Sequence, residues 1–115
     1  MERLNRATTP QLAKLELGRV VVNATKHARD QAVNRNMTLP SSLFVAAGDI
    51  VELEHEGKTI LKVVVRKKDV AGIDNVYVLA NPGVKGVAWT LLTCYVNQSD
   101  DNHATIRMDR LGRVA

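Results

Sequence analysis

A chain of 115 residues suits one domain with one core, and 45% hydrophobic with 24% charged residues is ordinary for a globular protein. Aromatics are only 3%, so the core must be aliphatic, and the single cysteine, Cys94, excludes an intrachain disulfide. Lysine and arginine outnumber aspartate and glutamate 16 to 12, and the resulting charge of +4 favours polyanionic partners.

No apolar stretch approaches the ~20 residues of a membrane-spanning helix. The opening residues, MERLNRATTPQL, carry charges and no apolar core of a signal peptide. The reading is a single domain over residues 1–115, in a reducing, cytoplasmic setting, with no membrane partner. Residues 1–8 are polar and are expected to fray. Thr9 and Pro10 suit an N-cap and a first helical position, and Gly18 a stop. A short helix anchored by Leu12, Leu15 and Leu17 is therefore expected there. Residues 19–23, RVVVN, suit either a short strand or the lead into the next helix. Residues 24–36, ATKHARDQAVNRN, contain neither Gly nor Pro and read as the main helix. Pro40 and Gly48 bracket a further short helix over residues 40–47.

After Gly48 the period changes to two. Val51, Leu53 and His55 alternate with Glu52 and Glu54, which marks a strand. Glu56-Gly57-Lys58 is a tight-turn signal leading into a second strand over residues 59–67. Residues 69–75 read as a loop, 76–80 as a third strand, and 87–97 as a fourth. A last short strand is expected over residues 103–108, and residues 109–115 as a loose tail. The fold class is α+β, with N-terminal helices packed on one face of a four-stranded or larger antiparallel sheet.

At 100° per residue, His27, Gln31 and Arg35 form one stripe on the main helix, with Arg29 on its far side. Such a stripe is commonly just a solvated helix edge. On the fourth strand, alternation puts Trp89, Leu91, Thr93, Tyr95 and Asn97 on one face, and Leu92, Cys94 and Val96 on the covered one. On the second strand Lys62 and Arg66 share a face with Val64. If the two polar faces coincide, Arg66, Thr93, Tyr95 and Asn97 line one sheet surface. His103 follows Asp100-Asp101-Asn102, acidic neighbours that favour its charged form. His27, His55 and His103 are at no metal-ligand spacing, and one cysteine completes no zinc site. Neither a phosphate loop nor a nucleophile elbow is present, and no metal or cofactor is expected.

The helix Thr25-Lys26-His27-Ala28-Arg29 followed by Arg35, the strand Thr93-Cys94-Tyr95-Val96-Asn97 and the turn Asp101-Asn102-His103 occur in that order. Together with Val65-Arg66-Lys67 they resemble the small toxin-like domains of the barnase/EndoU/colicin/RelE-like ribonuclease superfamily over residues 19–107. The resemblance implies a metal-independent ribonuclease. The RNA 2′-OH attacks the adjacent phosphate, helped by a base, an acid and cations. The implied catalytic set is His27, His103, Arg66 and Tyr95, with Arg35 and Arg66 holding phosphate and Tyr95 or Trp89 stacking on a base. Arg29, Lys62, Lys67, Thr93 and Asn97 complete the implied RNA-binding set.

The same residues also suit a basic module without chemistry of its own. It would bind RNA or a host protein, as an inhibitor encoded by a phage or another mobile element would. RNA is the partner expected under the first reading, and RNA or an inhibitory or target protein under the second.

Overall fold

The computed structural model describes residues 2–5, 12, 14–69, 72–84 and 87–98. In chain order the elements are β1 (Glu2–Asn5), β2 (Gly18–Ala24), α1 (Lys26–Asn34), β3 (Ser42–Val45), β4 (Ile50–Glu56), β5 (Thr59–Lys68), β6 (Ile73–Ala80) and β7 (Trp89–Gln98). The seven strands form one sheet in the order β1-β4-β5-β6-β7-β2-β3.

The expected meander is present. β4 to β7 pair antiparallel in sequence order, because short connections permit nothing else. The β4–β5 turn is the two residues Gly57 and Lys58, with φ +59° at Gly57 only, the left-handed conformation that glycine adopts freely. The sheet is not wholly antiparallel: β2 runs parallel to β7, with Val22 opposite Trp89. The long excursion between these two strands leaves room for a crossover, which a parallel pair requires.

Among the described residues there is one α-helix. Thr25 caps it, its Oγ1 accepting from Ala28 N at 3.1 Å, and Arg35 closes it. Three expectations upstream and downstream of it are corrected. Residues 40–47 form no helix, because Leu43 and Val45 point inward while Phe44 is exposed, a period of two that overrides the Pro and Gly punctuation. Residues 2–5, expected to fray, form β1 by pairing antiparallel with β4 at the edge of the sheet. Of the expected helix over residues 9–17, Leu12 and Lys14 adopt 3₁₀ conformation and Gly18 opens β2. Leu12 is buried and Leu15 and Leu17 pack on the core, but residues 15–17 are not helical, and residues 9–11 and 13 lie outside the described residues. The expected strand over 103–108 and the tail lie outside the described residues.

The sheet must curl. β3 and β4 are five places apart in the strand order, about 24 Å in a flat sheet. Residues 46–49 are all that joins them, a reach of about 18 Å from Val45 to Ile50. Side-chain bonds tie the turn down. Asp49 Oδ2 accepts from Ala46 N at 2.9 Å and from Lys67 Nζ at 2.7 Å, and Lys67 Nζ also reaches Phe44 O at 2.8 Å.

The concave face holds the main core, including Val20, Val45, Ile50, Val63, Leu79, Leu91 and Cys94, closed by Ala28 and Ala32 of α1. Alanines on the buried stripe let the helix approach closely enough for Cys94 Sγ to meet Ala28 O at 3.6 Å. Burial pushes the Cys94 thiol pKa up, against the nearby Arg35 charge. Cys94 should therefore react slowly with a thiol reagent in the native protein and quickly in denaturant. Fast native labelling would place it on the wrong face.

Two of the three register shifts among the described strands move core side chains across the sheet. In β7, Val78 pairs with Thr93 but Leu79 pairs with Leu91, which leaves Leu92 as the extra residue. Leu91 therefore lies in the main core with Cys94, and Leu92 packs on the other face with Tyr95. Strict alternation assigned these two leucines the other way round, and put Trp89 with the exposed set although it packs on the main core. In β4 the corresponding shift after Ile50 sends Val51 to the far face, away from Leu53. Val96, expected on the covered face, is instead 39% exposed, at the cavity beside the end of α1.

Candidate functional site

The helix stripe forms as spaced. His27 is exposed on α1, and Gln31 Nε2 lies 3.4 Å from its Nε2. Arg35 is exposed at the helix end, beside a polar cavity of about 340 Å³ that Asn36, Thr38, Asp69 and Asn75 also line. Arg29 is exposed, and its Nη1 donates to Ala24 O at 2.8 Å, which holds the guanidinium at the end of β2. Lys26 pairs with Asp30 at 2.9 Å one turn along, and this contact holds the Asp30 carboxyl below its usual pKa.

The polar faces of β5 and β7 do coincide. Lys62, Arg66, Thr93, Tyr95 and Asn97 all lie on the sheet face away from α1, around a strip formed by Val51, Val64, Val76 and Val78. The cations there are already matched with carboxylates. Arg66 Nε donates to Asp74 Oδ2 at 2.6 Å, with the two side chains only 10% and 8% exposed, and its Nη2 donates to Gln98 O at 2.9 Å. Lys62 Nζ pairs with Glu54 at 2.9 Å, and Lys67, the next residue after Arg66 and so on the opposite side of β5, pairs with Asp49. Thr93, Tyr95 and Asn97 are half-buried.

The residues assigned to cleavage are thus distributed on two sides of one sheet. His27 stands on the helix over the concave face, and Arg66 and Tyr95 on the far face. His103 lies outside the described residues. Trp89 is half-buried and lines a second cavity of about 380 Å³ with Thr59, Asn81 and Pro82. Among the described residues no group of three or more His, Cys, Asp or Glu is placed to hold a metal ion. No helix among them is long and apolar enough to cross a membrane.

Sequence reasoning missed two features here. Asp74 was assigned to a loop, although Asp74, Val76 and Val78 alternate with Ile73, Asn75 and Tyr77 and so announce a strand. The exposed side of β2 and β3 was missed because residues 40–47 were read as helix. Fold and surface define a small basic α+β protein built on a curled mixed sheet with one covering helix. No protein-family model matches the chain, and neither a curated protein nor a solved structure does.

Proposed function

We propose that the chain is a basic, non-catalytic module that binds single-stranded RNA. The observation that carries this reading is the Arg66–Asp74 pair. The cation best suited to a pentavalent phosphate is engaged by a buried carboxylate, on the sheet face opposite the helix that bears His27. Concerted acid–base chemistry needs its groups within hydrogen-bond reach of one substrate. Binding requires only accessible positive charge, and Arg19, Arg29 and Arg35 supply it.

The test is a labelled mixed-sequence RNA incubated with the protein in EDTA. The expected outcome is intact RNA retained in a salt-sensitive way. Three phosphate contacts would give a slope of about −2 for the logarithm of affinity against that of salt. Fragments ending in 2′,3′-cyclic phosphate, lost in His27→Ala, would establish the ribonuclease instead. A folded protein that neither retains nor cuts any RNA class would remove both.

A further inference from the structure

The face of the sheet away from α1 is not uniform. Over β4 to β7 its apolar strip is buried, but at β2 and β3 the same face is open. Phe44, the only phenylalanine of the chain, is 50% exposed there, and Val21 61%. The register places Phe44 opposite Arg19 and Val21 opposite Ser42, so the ring and Val21 are diagonal neighbours on one surface. A large apolar ring left open on an aromatic-poor protein is unusual, because burial would remove its area from water.

Arg19 supplies positive charge beside it, while Lys67 close by is matched with Asp49. Arg19 is exposed, and its Nη1 lies 3.1 Å from Ser42 Oγ, which lays the guanidinium across the strand pair beside the ring. Among the described residues Arg19 forms no ion pair. Lys67 Nζ sits on the carbonyl oxygen of Phe44 itself. Bonded to Ser42, the Arg19 guanidinium stands level with Val21, which faces Ser42 across the strand pair.

We infer that β2 and β3 form a stacking platform for single-stranded RNA. One base lies on Phe44 against Val21, and its phosphate meets the Arg19 guanidinium beside them. An aromatic face flanked by cations is the arrangement by which single strands are held without sequence preference. The inference rests on the RNA-binding reading above and assigns it a surface. None of these contacts needs Arg66, Lys62 or Lys67 to give up a carboxylate.

The experiment uses the full chain and a fluorescein-labelled oligouridylate of ten nucleotides, titrated by anisotropy at low and moderate salt. Phe44→Ala should weaken binding by about ten-fold or more, within the range of one lost base stack. Phe44→Trp should retain affinity, whereas Phe44→Leu, which keeps apolar bulk but loses the ring, should not. Arg19→Ala should weaken binding and flatten the salt slope by about one phosphate. Thermal unfolding should be nearly unchanged throughout, since both side chains are exposed. If wild type binds and these variants bind equally well, the platform is wrong while RNA binding stands. If wild type binds no RNA, the functional reading fails and the platform with it. If Phe44→Ala changes only the sedimenting mass, the exposed face docks a second copy of the chain and the inference is overturned.

Discussion

Arg66→Ala is expected to lower the unfolding free energy by about 3–5 kcal/mol, the range for removing one partner of a buried ion pair. Asp74 is 8% exposed and would keep its charge on the sheet with no guanidinium opposite, and Gln98 O would lose its donor. Asp74→Asn combined with Arg66→Met should recover much of the loss, because the uncompensated charge, more than the missing contact, carries the cost. Urea denaturation of the wild type, Arg66→Met, Asp74→Asn and the double variant forms the cycle, with Arg66→Ala measured beside it. A loss below about 1 kcal/mol for Arg66→Ala would mean the pair is effectively solvated. The result also bears on function. If Arg66 acted on RNA, its removal would impair binding in protein that is still folded. If it holds β5 to β6, the folded fraction should bind RNA as the wild type does.

The parts of this fold that were legible in the sequence are those where local pattern and tertiary demand agree. Residues 24–36 hold good helix formers behind a Thr cap, and α1 forms within them. β4 to β7 alternate and are joined by turn residues, so the meander could be read, as could the coincidence of Lys62, Arg66, Thr93, Tyr95 and Asn97 on one face. Illegible elements depend on pairing at long range. β3 has only four residues, and its inward Leu43 and Val45 acquire meaning only once β2 lies beside them. β1 has only four residues and no alternation to announce it, and it forms by pairing with β4. The parallel contact of β2 with β7 joins segments far apart in the chain, and nothing local announces it. For the candidate site, residue types were visible but their pairing was not. Nothing local ties Arg66 to Asp74, because the two meet only across the β5–β6 pairing, and the Pro40 and Gly48 punctuation hides the strand that aligns Phe44 with Arg19.

Leu91→Ala and Leu92→Ala should separate sharply, although the residues are adjacent and identical. Strict period-two alternation puts Leu92 in the core and Leu91 with the polar set. The bulge between the Val78 and Leu79 pairings exchanges them. Leu91 is then fully buried among Val63, Leu79 and Cys94, while Leu92 is half-buried against the valine strip on the far face. Truncating a fully buried leucine removes its transfer free energy and leaves a cavity in a closed core, for about 2–5 kcal/mol. At a half-buried site neighbouring side chains or water can fill the space, and about 1 kcal/mol is expected from the smaller apolar area lost. Since Thr25 Oγ1 also donates to Leu92 O at 3.3 Å, a backbone contact that substitution preserves, the helix cap should survive in both variants. Equal losses, or a larger loss at Leu92, would place the register of β7 one residue away from the bulged pairing. Cys94 labelling in the same two variants locates the damage: opening the concave core at Leu91 should speed native labelling of the neighbouring thiol, and truncation at Leu92, on the other side of the sheet, should leave it slow.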